Sequence, residues 1–451
     1  MTQARREGLI LFLLGSAMFL LLGLVADHFA SISMGDFRVV YYSARCLLQH
    51  GDPYKESDVL RIYKAEGLED RPGELERIKN PVLDRLVKTR YFYLPPAFTF
   101  TVPVAMLGYA FGHIVWRVLS AASLLLAGFL IWRQGERYDP VVSGLLVGFL
   151  LMNSFWLFMI GNSSAIVIGF CAIAAWCFTQ DRYRWAGVVC LAAAIALKPH
   201  DAGQVWLLFL LAGGTYFKRA LQTLLAVGLL ALPALLWVSY QSPHWMQELQ
   251  INMLTFSQPG GLTDPGPAGL PGSNMDTMVP LQSAVSLFWD DPRIYNTVTY
   301  ALCGSLFLVW LLVTIRRPLS PTRVWLALAV IAPLSMLPVY HMQHDAKLIL
   351  LAIPACAMLW AEGGAVGWSA FLITGAGIVV NGDIFSALRI LATGRFHPPL
   401  GSSPGNGPWA LFARPDPVIL LIMAVFYLWI YVRRSRQGSF VEAPSPKQAS
   451  A

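Results

Sequence analysis

Charge is what this chain has least of. Only 13% of its 451 residues are Asp, Glu, Lys or Arg, while 56% are hydrophobic; an average soluble domain carries roughly a quarter charged residues. So little polar surface cannot cover two or three soluble domains, which excludes a soluble enzyme, a fibrous protein and a disordered chain. Cys46, Cys171, Cys177, Cys190, Cys303 and Cys356 have no metal-ligand spacing, and most lie in apolar runs. They offer neither a disulfide framework nor a zinc site. No sequence repeat is evident, which counts against inverted-repeat transporter folds. The net charge of +7 does not signal nucleic acid, because the basic residues cluster beside apolar segments. There they read as topology signals and contacts with lipid headgroups.

What the chain has instead is apolar runs of membrane length, since a hydrocarbon core of about 30 Å needs about twenty apolar residues. The first, Leu9–Ala26, follows Arg5 and Arg6 and is too long for a signal peptide's apolar region, so it reads as an uncleaved helix. Others lie near 94–110, 113–132, 141–160, 164–179, 185–197, 203–217, 221–240, 294–315, 324–340, 346–361, 366–380 and 417–432. If every run crossed, Arg133/Arg137, Arg182/Arg184, Lys218/Arg219, Arg316/Arg317 and Arg433/Arg434/Arg436 would face outward, against the positive-inside rule. The weakest run, Leu94–Ala110, has three prolines in 17 residues. Treated as a segment at the interface, it brings all five basic clusters inside together with both termini. The expectation is an all-α polytopic membrane protein with about twelve transmembrane helices.

Residues 1–440 read as one integral membrane domain and 441–451 as a disordered cytoplasmic tail. Segment 27–112 is a large external loop carrying juxtamembrane helices. It contains eleven Lys/Arg, but loops of this length escape the charge rule. Segments 241–293 and 381–416 are further external loops, the former rich in Pro and Gly.

The polar motifs gather at the expected outer ends. After the first helix, Phe37, Val40, Tyr41, Ala44, Leu47 and Leu48 follow helical spacing up to Gly51-Asp52-Pro53. This suggests an amphipathic helix on the outer interface with Asp36 at its N-cap. Asp36 is then either a cap or a base at the membrane surface. Tyr93 precedes paired prolines that fix the entry of the next segment. Gly161-Asn162 reads first as a tight turn. Lys198, His200 and Asp201 sit between two apolar runs, and His341, His344, Asp345 and Lys347 crowd another junction. Such clusters beside apolar helices are often functional, with snorkelling the plain alternative for the lysines. The His/Asp spacing is poor for a metal on one helical face, and cationic groups for a phosphate fit better. Arg117 is a further cation, or a snorkelling one. A carboxylate base above phosphate-binding cations suits group transfer from a lipid phosphate to a hydroxyl.

These residues resemble the GT-C class of polytopic glycosyltransferases, and within it glycosyltransferase family 87, the bacterial polyprenol-phosphate-mannose-dependent mannosyltransferases. The resemblance rests on Asp36-Phe37, Tyr41-Tyr42, Gly51-Asp52-Pro53-Tyr54, Tyr93-Leu94-Pro95-Pro96, Pro103, Gly161-Asn162 and Lys198-Pro199. It is good over about the first 200 residues and extends to the remainder only in layout. It implies a GT-C-like bundle with a large first external loop, Asp36 as catalytic base, and a polyprenyl-phosphate sugar donor requiring no cofactor. Asn162 stands where the family usually has Gln, and Glu56–Arg90 is a charged insertion.

The resulting expectation is transfer of a hexose, mannose by resemblance, to a hydroxyl of an external glycan or glycolipid, with inversion. Arg117, Lys198, His341, His344 and Lys347 are the candidates for the donor phosphate, and Tyr42, Tyr93, Asn162 and His200 line the site. No metal ligand set is expected. Partners are the lipid-linked donor, the acceptor and membrane lipids, but not nucleic acid. The place is the bacterial plasma membrane, with the site on the periplasmic face. The competing reading is a transporter or flippase for a lipid-linked sugar. It would place ionisable or helix-breaking positions near the midplane, whereas here they lie at helix ends.

Overall fold

The computed structural model describes residues 2–29, 33–66, 90–259, 261, 263–266, 278–316, 319–395 and 414–437. The expected disordered tail lies outside them, as do most of the insertion Glu56–Arg90 and parts of the 241–293 and 381–416 loops. The chain is helical, and among the described residues the only β contact is an isolated bridge between Met278 and Met342.

Helix α1 (Gln3–Phe29) is followed by α2 (Gly35–Leu48) and α3 (Glu56–Ala65). A 3-10 turn, Pro95–Ala97, leads into α4 (Phe98–Ala105) and then α5 (Tyr109–Gly135), α6 (Pro140–Met152) and α7 (Phe155–Ile160). Next come α8 (Ser164–Thr179), α9 (Arg184–Leu197), α10 (Pro199–Leu211), α11 (Gly214–Gln241), α12 (Trp245–Ser257) and α13 (Leu281–Val285). The last described elements are α14 (Pro292–Ile315), α15 (Pro321–Met336), a 3-10 run Asp345–Ala352, α16 (Ile353–Glu362), α17 (Gly364–Val380), α18 (Asp383–Arg395) and α19 (Pro415–Gln437). Several starts are written locally. Asp139, Asp291 and Ser320 cap α6, α14 and α15 with their side chains, each followed by a proline, which suits the first helical position because its missing N–H is not needed there.

Among the described residues, five helices are long and apolar enough to cross a membrane: α1, α5, α11, α14 and α19 up to Arg436. A sixth results if α17 and the start of α18, bent by 56° at their junction, form one span. Four of the other expected crossings are apolar helices of 13 to 16 residues, α6, α8, α9 and α15. At 1.5 Å per residue even the longest of these reaches only about 24 Å. Length and composition therefore give five or six candidate spans among the described residues and leave the figure of twelve open.

The region 94–110 is a short 3-10 turn and the eight-residue α4, about 12 Å of helix and too short to cross. The packing of α1 agrees with this. A Cβ on Gly8 would lie 2.0 Å from the Pro140 carbonyl oxygen, and one on Gly15 2.1 Å from that of Gly148. Gly23 meets Phe158 of α7. Contacts advance together along both chains, so α1 and α6–α7 run parallel, and α5 supplies the single reversal between them. Gly144 and Gly148, four apart, permit this backbone contact where any side chain would force the helices apart.

The basic clusters share one end of the bundle. Arg5 and Arg133 both pair with Glu136, at 3.1 and 2.7 Å. Arg137 donates to Gln180, and Arg219 pairs with Asp181. The Leu319 amide donates to the Ala212 carbonyl at 3.1 Å, Arg323 reaches Ser435 at 3.3 Å, and Arg434 pairs with Glu362. One continuous set of contacts thus joins every loop expected on the positive side. The polar motifs meet at the opposite end.

Candidate active site

Helix α2 begins at Gly35, with Met34 as its N-cap in the left-handed region at φ 56°. Asp36 is therefore not the cap that its residue type suggests, but lies in the first turn with no capping bond to make. Tertiary contacts set this boundary. The Met34 amide donates to the Met159 carbonyl at 2.9 Å, and Arg117 fixes the approach, pairing with Asp27 at 2.5 Å and donating to Ser33 at 3.0 Å. Nor does α2 lie openly on an interface. Tyr41, Tyr42, Ala44, Cys46 and Leu47 are all buried, covered by α3, α4 and the ring of Tyr109. Arg45 pairs with Glu66 at 2.6 Å.

Asp36 stays half-buried and receives one hydrogen bond among the described residues, from Asn162 Nδ2 to its Oδ2 at 2.5 Å. Asn162 follows Gly161, which ends α7 at φ +67°. A Cβ there would sit 2.8 Å from Met34 Cε and 2.9 Å from Phe37 Cβ, and Trp116 donates to the Gly161 carbonyl at 2.8 Å. Glycine satisfies both the left-handed backbone and the close approach of α2. The turn and the site are the same residues.

The Asn162 amide has one workable orientation. Its Oδ1 accepts from the Ser164 amide at 2.8 Å and faces Lys198 Nζ at 3.4 Å. Its Nδ2 faces Asp36 and also His344 Nε2 at 3.0 Å. A flipped amide would oppose oxygen to carboxylate and N–H to ammonium, so the network fixes the assignment. Behind it, Lys198 donates to Ser164 Oγ at 2.6 Å and to Asp345 Oδ1 at 2.9 Å. The Met342 amide donates to Asp345 Oδ2 at 2.9 Å. Burial alone would lower the Lys198 pKa, but the Asp345 and Asp201 carboxylates outweigh it and hold the ammonium above its ordinary value.

The expected site residues fall into three groups. Asp36, Asn162, Lys198 and His344 join one network, and Tyr93 is attached to it by Ser163, whose hydroxyl donates to the Tyr93 hydroxyl at 3.2 Å. His341 and His200 flank Asp201 at 3.1 and 3.5 Å, next to Lys198, which lies 3.6 Å from that same carboxylate. Burial would lower the His341 pKa, yet Asp201 raises it above the usual value. The others stand apart. Arg117 is spent on Asp27, and Lys347 is buried against Asp383 at 2.9 Å, which also accepts from the Trp156 amide at 2.7 Å. Tyr42 packs against Tyr63 and Tyr109, with ring centroids 4.8 and 6.2 Å away, and no hydrogen bond ties its hydroxyl to the network.

Sequence reasoning did not assign roles to Ser164, Asp345 or Asp383. The signal was there for Ser164: three polar residues, Asn162-Ser163-Ser164, interrupt two apolar runs.

Residues 91–271 match the family model of glycosyltransferase family 87. The matched stretch contains Tyr93, Asn162, Ser164, Lys198 and Asp201, while Asp36, His344 and Asp345 lie on either side of it. No curated protein and no solved structure matches the chain. The match covers 181 of the chain's 451 residues; over this stretch the chain is similar to glycosyltransferase family 87, a family of membrane glycosyltransferases, and the Asp36-Phe37 and Gly51-Asp52-Pro53-Tyr54 motifs that precede it support the same resemblance.

Proposed function

We propose that the chain transfers a hexose, mannose on the family resemblance, from a polyprenyl-phosphate donor to a hydroxyl of a glycan or glycolipid. The observation that carries this reading is the state of Asp36. It is a half-exposed carboxylate that caps no helix and is oriented by a single amide at the edge of a buried cationic network.

In this mechanism the acceptor hydroxyl donates its proton to Asp36 as its oxygen attacks the anomeric carbon. The bond between that carbon and the phosphate oxygen breaks in line, polyprenyl phosphate leaves, and the anomeric configuration inverts. His344, partly exposed, meets the phosphate, with Lys198 and His341 supplying positive potential from behind. Arg117 and Lys347 position the frame, since each already holds a carboxylate. The basic end faces the cytoplasm by the positive-inside rule, which puts the polar end on the periplasmic face of a bacterial plasma membrane. The four shorter apolar helices, α10 and the 3-10 run that continues into α16 complete about twelve crossings.

The test is transfer of radiolabelled mannose from polyprenyl-phosphate-mannose to membrane acceptors, comparing wild type with Asp36→Asn. The general base is worth about 10²–10⁴-fold, so the variant should lose that much turnover while keeping its detergent-solution melting behaviour. Undiminished turnover in Asp36→Asn would remove Asp36 from the mechanism. Movement of intact lipid between liposome leaflets, with no transfer, would give the chain to the flippase reading.

A further inference from the structure

The sequence offered no metal site because His341, His344 and Asp345 are badly spaced for one helical face. The fold changes the partners. His200 and Asp201, on the first turn of α10, come against His341, which precedes the 3-10 run. Each of His200, Asp201 and His341 offers one ligand atom, and these atoms all lie within 4.8 Å of one another. We propose that these three side chains bind a divalent transition-metal cation of the zinc type.

The spacing fits. The two imidazole nitrogens stand 3.5 and 3.1 Å from Asp201 Oδ1. Ligands about 2.1 Å from a tetrahedral zinc ion are separated by about 3.4 Å. Polarity fits as well. His341 Nδ1 lies 3.1 Å from the Val339 carbonyl oxygen, the kind of backbone bond that orients a metal-binding imidazole and turns its Nε2 toward the ion. That Nε2 and both Asp201 oxygens are buried and make no hydrogen bond among the described residues. Without a metal, a protonated His341 pairs with Asp201 Oδ1 at 3.1 Å; a metal ion would take the place of that proton between the same two atoms. Lys198 approaches Oδ2 at 3.6 Å, so it neutralises the outer oxygen and leaves Oδ1 to the ion. His200, with its side chain 44% exposed, provides the way in. Two imidazoles and a carboxylate suit zinc and its neighbours better than magnesium or calcium. Three protein ligands leave a fourth position for water or an anionic oxygen.

The experiment does not depend on sugar transfer. The purified full-length chain is equilibrated with Zn²⁺, passed through a desalting column and assayed for bound metal by mass spectrometry. Separately, Co²⁺ loading is followed by visible absorption. About one Zn²⁺ per wild-type chain is expected, with a loss of at least about tenfold in His341→Ala and His200→Ala, and retention in His344→Ala. Co²⁺ should give the intense bands of a tetrahedral site, absent from both ligand variants. Because His200 is half-exposed, its variant remains informative if His341→Ala misfolds. Wild-type chain without bound Zn²⁺, or metal kept equally by His200→Ala, would overturn the site. Neither outcome bears on the role of Asp36.

Discussion

At the basic end of the bundle, Arg5 and Arg133 share Glu136 while 42% and 41% exposed, and Arg219 and Arg434, 5% and 14% exposed, pair with acids that keep access to water, Asp181 at 75% and Glu362 at 33%. At the polar end, Lys198 and Asp345 pair with side chains only 5% and 4% exposed, and Lys347 and Asp383 with 2% each. The same chemistry, cation against carboxylate, serves two purposes. Water and headgroups can replace a partner at the basic end, so its pairs record orientation more than they supply stability. No such replacement exists around Lys198, where each charge was desolvated and is held only by its neighbours. An ensemble of buried charges at one end is therefore a commitment to a geometry, and Asp36 is the carboxylate that this geometry leaves accessible.

The sharpest way to break the comparison is to remove one buried charge. Lys198→Met should destabilise the chain by about 3–5 kcal/mol, since it strands Asp345 and Asp201 without their cation. Thermal unfolding in detergent, or urea sensitivity in nanodiscs, would register it. Adding Asp345→Asn to that variant should recover part of the loss, because the stranded charge then disappears. If Lys198→Met melts with the wild type, the network is not held by its charges.

A smaller effect is expected one step outward, at Asn162. Removing its amide in Asn162→Ala leaves Asp36 without its donor and Ser164 N–H without its acceptor, a cost of about 1–3 kcal/mol for groups left partly buried. Transfer should fall further than stability, because Asp36 loses its orientation, and a split between the two readouts marks a positioning role. Equal loss in both would make Asn162 merely a turn residue. Asn162→Gln adds one methylene in the tight space beside Gly161 and should retain more transfer than the alanine.

How far the sequence could reach follows the same division. The basic end was legible because each cluster sits directly beside the apolar helix it orients, so counting charges placed them together before any contact was known. The short reach of 94–110 was legible from its prolines. The N-cap of α2 was not. Aspartate is among the best capping residues, yet the Met34–Met159 backbone bond and the close contact at Gly161 moved the helix start. The Asp36–Asn162–His344 and Lys198–Asp345 contacts span sequence separations of 126, 182 and 147 residues, and no local pattern encodes which junction meets which. Composition marked the junctions as unusual; only the fold could sort Arg117 and Lys347, already paired with acids, from His344 and Lys198 beside Asp36.

The smallest expected effect lies at the end where the comparison says charge matters least. Arg5→Gln breaks the pair with Glu136, but Arg5 is well exposed and Arg133 remains on the same carboxylate at 2.7 Å. The cost should be under about 1 kcal/mol, and lower still at high salt. Its informative readout is not stability but direction. Arg6 and the five later basic clusters still favour the same side, so the single change should leave the orientation of α1 intact, as read by labelling a cysteine placed near Thr2 from either side of sealed vesicles. Removing Arg5 and Arg6 together should give a mixed population if the first helix sets topology. An unmixed one would show that Gly8, Gly15 and Gly23, packed directly on α6 and α7, hold α1 in place through contact with helices whose direction the later clusters already fix.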